Sequence, residues 1–180
     1  KWAESKEGFI APNNQNEPFW MTSRKSKKLV HKWRAEEDAI LVGRITAEKD
    51  NPYLTAREVQ GENPIRIVID KYLKLSADLN LFDSDAKTII FNALKTQEIS
   101  NNNFIKINFK DLIKNILQEL HKQKIQSIVI EGGATTLQSF IDEKLWDEAR
   151  VFTANKKLND GVKSPNIEGK MLFETVLEGD

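Results

Sequence analysis

Runs of four to six mostly β-branched or aromatic residues recur along this chain with few polar residues inside them, and that pattern excludes most architectures. Ala39-Ile40-Leu41-Val42 ends at Gly43, Ile65-Arg66-Ile67-Val68-Ile69 follows Pro64, and Thr88-Ile89-Ile90-Phe91 follows a charged loop. Phe104-Ile105-Lys106-Ile107 and Ile125-Gln126-Ser127-Ile128-Val129-Ile130 complete the series. A strand with one wet face alternates apolar and polar residues. Near-continuous Ile/Val runs belong instead to strands covered on both faces, as in a mostly parallel sheet.

The segments between these runs carry helical spacing. Phe109, Leu112, Ile113, Ile116, Leu117 and Leu120 form an apolar stripe, with Asn108 as the expected cap. Ser23 to Arg34 reads as a second helix capped by Thr22 or Ser23, with Leu29, Val30 and Trp33 inward and Arg24, Lys25, Lys27 and Lys28 outward. Ala134 to Glu143 reads as a third, placing Leu137, Phe140 and Ile141 on one face. Strand–helix alternation without internal repeats or a linker predicts one α/β domain over residues 1–180, its parallel strands joined by crossover helices on both faces of the sheet.

Composition then removes several function classes. Lys plus Arg and Asp plus Glu are 27 each, so no net field draws the chain to nucleic acid or an acidic membrane. With no cysteine there is no disulfide, thiolate metal cluster or cysteine nucleophile, and the two histidines, His31 and His121, lie too far apart for a metal-ligand spacing. No metal site is therefore expected. No apolar run approaches the ~20 residues of a membrane span, so a cytoplasmic-type domain is the default. The chain opens on Lys1-Trp2-Ala3, as if within a strand, and closes on Leu177-Glu178-Gly179-Asp180, which reads as a piece of a longer polypeptide.

The sharpest chemical signal is Ile128-Val129-Ile130-Glu131-Gly132-Gly133-Ala134-Thr135-Thr136-Leu137. Paired glycines between a buried strand and a helix let a diphosphate approach the backbone, and the helix start offers unpaired N–H groups to an anion. The same pattern also serves as a plain tight turn. It is neither the Gly-x-Gly-x-x-Gly fingerprint nor a P-loop. Glu131 adds weight, because a carboxylate ending a central strand is costly unless it is paired or functional. Elsewhere, Arg34, Thr46, Arg57 and Trp20 read singly as a solvated charge, a helix cap, a surface charge and a core position.

Together and in order, Ser5-Lys6-Glu7-Gly8, Trp20-Met21-Thr22-Ser23, Arg34-Ala35-Glu36, Ala39-Ile40-Leu41-Val42-Gly43, Asp50-Asn51-Pro52, Leu54-Thr55, Arg66-Ile67-Val68-Ile69-Asp70 and Glu131-Gly132-Gly133-Ala134 resemble the reductase domain of the bifunctional riboflavin-biosynthesis deaminase/reductases. The resemblance runs from Lys1 to about Gly161. It implies a dihydrofolate-reductase-like fold and NADPH-dependent reduction of the ribosyl group of 5-amino-6-(5-phosphoribosylamino)uracil to a ribityl chain. It also implies a homodimer formed through this domain, with the strand around Ala149-Arg150-Val151-Phe152 as the candidate contact, and a deaminase domain fused in the full-length protein.

By motif position the resemblance puts Lys1 and Glu131 at the sugar as the catalytic pair, Arg34 and Arg57 on the substrate phosphate, and Pro18 and Leu54 in the pocket wall. The cofactor site would take Ala3, Trp20, Thr46, Asp50, Lys71, and the loop Gly132, Gly133, Ala134, Thr135, Thr136, Leu137, Gln138 and Ser139. Three positions depart from the family pattern. Ser5-Lys6-Glu7-Gly8 stands for Ser-x-Asp-Gly, Pro18 for a hydroxyl residue, and Lys71 for a small hydroxyl residue, where a lysine would pair with the NADPH 2′-phosphate. Two alternatives stay open: a related reductase acting on a pterin or other imine, and a non-catalytic dinucleotide-binding module.

Overall fold

The computed structural model describes residues 1–13 and 21–177. In chain order it contains β1 (Trp2–Ser5), β2 (Phe9–Ala11), α1 (Arg24–Glu36), β3 (Ala39–Gly43), α2 (Arg44–Asp50), β4 (Ile65–Ile69), a 3-10 turn (Asn80–Phe82), β5 (Thr88–Asn92), β6 (Gln97–Ile99), β7 (Asn102–Lys106), α3 (Leu112–Lys122), β8 (Ile128–Gly132), α4 (Ala134–Asp142), β9 (Val151–Ala154) and β10 (Val162–Lys163). Six strands form the central sheet in the order β6-β7-β5-β4-β3-β8, parallel except for the β6–β7 pair. β1 and β9 form a parallel pair, and a hydrogen bond from the Lys1 backbone nitrogen to Ile130 O (2.8 Å) sets that pair against β8.

The apolar runs behave as their composition requires. Ala39, Leu41, Ile67, Ile89 and Phe91 pack on one face with Ile113, Ile116 and Leu120 of α3 and Phe140 of α4. Ile40, Val42, Val68 and Ile90 pack on the other with Ala47 of α2, Leu54 and Leu81. Alternate residues of one strand thus enter two separate cores, which is why the runs are apolar on both faces, Arg66 of β4 excepted.

Two helix readings need correction. α3 begins at Leu112 rather than Phe109, because Asn108 Oδ1 accepts from Lys110 N and closes a local turn instead of capping a helix, and Asp111 (φ 46°) leads in. α1 starts as expected, with Ser23 accepting from Ser26 N, but its buried face is Ser26, Val30 and His31. Leu29 and Trp33 are only partly covered, Trp33 lying beside Phe152 with ring centroids 5.4 Å apart. Lys27 turns toward the interior and pairs with Glu58 at 2.7 Å.

The polar residue inside β4 explains itself. Arg66 is 0% exposed, and its guanidinium donates to Thr88 Oγ1 (3.0 Å), Asn80 O (3.1 Å), Asp83 Oδ1 (2.7 Å), Asp83 O (2.9 Å) and Ala86 O (2.6 Å). One buried cation thereby gathers the 80–86 loop under the sheet. Asn80 in turn bonds Asn51 through its backbone and side-chain nitrogens, fixing the end of α2. Arg66→Met should lower stability by about 3 kcal/mol or more, because three carbonyls and Asp83 lose a buried partner. Urea unfolding should show a lower midpoint at an unchanged slope.

Candidate active site

A cleft of about 860 Å³ opens where the C-terminal ends of β3 and β8 meet the face of α1 and the loop after α2. Its floor is an ion cluster. Arg34 donates Nε to Glu131 Oε1 (2.9 Å) and Nη2 to Oε2 (2.7 Å), while Lys1 Nζ stands 3.6 Å from the same Oε2. The side chains of Glu131 and Arg34 are only 7% and 12% exposed.

The backbone aims the carboxylate. β8 pairs with β3 in regular register up to Leu41↔Ile130, and the next pair is Val42↔Gly132, so Glu131 is the extra residue of a bulge. Bulges release a residue from the ladder and redirect its side chain, and they are uncommon in parallel pairs. Burial alone would raise the Glu131 pKa, but the charges of Lys1 and Arg34 and the Arg34 hydrogen bonds outweigh it and hold the carboxyl at about 2. It is an anion at any physiological pH.

Arg34 and Arg57, both expected at the substrate phosphate, divide unequally. Arg34 spends two donors on Glu131 and a third on Thr55 O (3.2 Å), whereas exposed Arg57, among the described residues, donates only to Thr55 Oγ1 (3.2 Å) and lies 5.0 Å from the Tyr53 ring. Thr55 therefore bridges the two arginines, one through its carbonyl and one through its hydroxyl. Leu54, at φ 54°, is buried in the same wall.

Next to the ion cluster the two strand-to-helix turns mesh. Gly133 (φ +79°) precedes α4 with no side-chain cap, so the first N–H groups of α4 have no partner in the helix itself. A Cβ on Gly132 would lie 2.7 Å from Thr46 Cγ2, one on Gly133 3.2 Å from Thr46 Oγ1, and one on Gly43 2.5 Å from Thr136 Oγ1. Only glycine permits this approach. Ala3, Thr46, Asp50, Gly133, Ala134, Thr135, Thr136, Leu137 and Ser139 all line the cleft beside Lys1, Arg34, Leu54, Arg57 and Glu131.

Other expected residues lie elsewhere. Gly132 is buried behind the turn, and the Gln138 side chain is engaged with Asp142 and Asn166. Lys71 lies outside the cleft, in a separate shallow pocket, with its ammonium 5.1 Å from the Tyr72 ring and 5.4 Å from Phe109. Pro18 and Trp20 lie outside the described residues. Sequence reasoning missed His31, Thr55 and Tyr53. His31 is three residues before Arg34 and so shares its helix face, a signal that helical spacing carried but apolar-stripe reading ignored.

Comparison with known proteins gives the same shape and the same residues a family. The model of the RibD C-terminal domain matches residues 1–166. The chain belongs to that family. It is 33% identical over 98% of its length to the riboflavin biosynthesis protein RibD of Aquifex aeolicus, of which it covers 51%. It is 25% identical over 83% of its length to the 2,5-diamino-6-ribosylamino-4(3H)-pyrimidinone 5′-phosphate reductase of Archaeoglobus fulgidus, covering 76% of that protein. Among solved structures, the diaminohydroxyphosphoribosylaminopyrimidine deaminase/5-amino-6-(5-phosphoribosylamino)uracil reductase of Thermotoga maritima superposes with a TM-score of 0.78 at 26% identity, over 97% of this chain and 49% of that one. The expected dihydrofolate-reductase-like α/β fold of this RibD C-terminal domain holds. The chain spans about half the length of the RibD relatives it matches.

The depressed Glu131 pKa makes a stability claim with a definite sign. The stabilisation it reports is complete above the unfolded carboxyl value and disappears as pH falls from about 4.5 toward about 2, on the order of 3 kcal/mol in all. Glu131→Gln should be less stable than the parent at neutral pH and lose less over that acid window, read by denaturant unfolding at each pH.

Proposed function

We propose that this chain is the reductase unit of a deaminase/reductase and reduces the ribosyl group of 5-amino-6-(5-phosphoribosylamino)uracil with NADPH as hydride source. One observation carries the reading: the buried Glu131–Arg34–Lys1 cluster and the Gly133 turn, two residues apart in sequence, open into one cleft. The cofactor fits the residues present. The glycine turn brings Thr46 and Thr136 up against the backbone where a Cβ would block them, the start of α4 offers unpaired N–H groups, and Thr46, Thr135 and Thr136 supply hydroxyls for a diphosphate. Bound there, NADPH would supply the hydride.

The chain's own groups account for the remaining needs. Opening of the ribosylamine gives an imine at the first sugar carbon, and its positive character is stabilised by a carboxylate that stays ionised. Glu131 is that carboxylate, and it also accepts hydrogen bonds from sugar hydroxyls. Lys1 Nζ, 3.6 Å from it, is the proton donor. Arg34 locks the carboxylate's orientation, and Arg57, with most of its donors unspent, takes the phosphate. The description of the Thermotoga relative as a deaminase/reductase, with 49% of it covered, supports assigning the deaminase to the part that lies outside this match. The dimer belongs to the same reading. β9 pairs with β1 alone among the described residues, so its other edge offers a second copy a strand to join, and Val151 on it is 41% exposed.

NADPH consumption with the phosphoribosylaminouracil substrate tests the activity directly. Lys1→Ala and Glu131→Gln should each lower kcat by about a hundredfold while the NADPH Kd changes less than about threefold. Equal losses in both quantities would count against the roles given. Arg57→Ala should raise KM by about tenfold or more. Unchanged KM there would favour a pterin-type substrate, and no NADPH consumption with any aminouracil would favour a binding module.

A further inference from the structure

The face of α1 that lines the cleft carries Lys27, Val30, His31 and Arg34 at helical spacing, and the mechanism above uses only the last. His31 is 2% exposed, and its Nδ1 has no hydrogen-bond partner among the described residues. A buried polar atom left unmatched costs about 1–3 kcal/mol, so its persistence in a cleft wall points to a ligand that satisfies it. The charged groups facing the imidazole are Lys27 and Arg34 on its own helix and Arg57 and Glu58 on the loop after α2, three cations to one anion. Glu58 is already paired with Lys27, and Arg34 with Glu131. Arg57 remains, and a phosphate ester has more oxygens than one guanidinium pairs.

We infer that His31 is a further anion-binding residue of this cleft, one that takes up a proton as a dianionic phosphate or sulfate enters beside Arg57. The inference deepens the proposed function, since it assumes that the phosphate end of the substrate lies on this side. In the free protein the ring is neutral, because burial first, and then Arg34, Arg57 and Lys27, hold its pKa down to about 4 against the pull of Glu58. A dianion at contact reverses the sign of the local field and favours the imidazolium, which donates from a nitrogen that had nothing to bond. Binding and protonation are then linked. Affinity for the anion is greatest in acid, falls as pH rises from the pKa of the free ring, and levels off above the pKa of the liganded ring.

Inorganic sulfate is the probe, because it stays dianionic across the neutral range and contributes no proton of its own. Calorimetric titration of the parent protein between pH about 5.5 and about 7.5 should show a Kd that rises by up to about tenfold per unit and proton uptake approaching one per sulfate. His31→Asn should abolish both the uptake and the pH dependence. The chain has two histidines, so ring NMR signals need no variant: saturating sulfate should move the His31 resonances toward the imidazolium position and leave those of exposed His121 unmoved. A His31 ring that does not respond to saturating sulfate would overturn the inference, as would proton uptake that persists in His31→Asn. The two readings fail separately. A protein that protonates His31 with sulfate yet consumes no NADPH would sink the reductase assignment alone, and one that turns over normally with a silent His31 would sink only this inference.

Discussion

The site depends on keeping one carboxylate charged where little water reaches. Glu131 ends a central strand, its side chain almost wholly covered, and an unpaired anion there would cost several kcal/mol or take up a proton. Arg34 and Lys1 remove that cost, but they come from α1 and from the start of β1, far away in sequence. Pairing the charge therefore docks a helix and an edge strand onto the end of β8. The ion cluster is the floor of the cleft and a packing constraint together.

Arg66 shows the same side chain in a different office. Its nitrogens donate only to groups within the fold, and none of it meets solvent. Nothing is left for a ligand, so it is an internal staple. Arg34 is more open and Arg57 more open still, so the series from Arg66 through Arg34 to Arg57 runs from a wholly enclosed guanidinium to an exposed one. What separates the three is the number of donors already spent. The meshed turns add steric pre-organisation, because Thr46 and Thr136 occupy the volume that side chains on Gly132 and Gly43 would need.

The sequence was readable where short-range rules act alone. Strands over 39–43, 65–69 and 88–92 follow from runs that supply apolar residues to both faces, and α4 follows from a glycine start and a three–four stripe. It misled where a local hydrogen bond competed with the helix. Asn108 satisfied Lys110 and gave up the capping role, and α3 began later. It misled again on α1, where the apolar spacing points Trp33 inward though it is only partly covered, tilted against Phe152, while Ser26 and His31 are buried. Amphipathic spacing cannot know that a helix face will line a polar cleft rather than an apolar core.

From the chain alone came the layered α/β architecture, the glycine turn suited to a diphosphate, and the set of basic and acidic residues from which a site is made, because each depends on neighbours within a turn or a strand. Only the folded molecule decided which charges cancel and which remain. The bulge that turns Glu131 toward Arg34 arises from the register of β3 against β8, and the separation of Lys71 from the cleft arises from where β4 ends. Those are distances between residues remote in sequence, and they exist only once the sheet has formed.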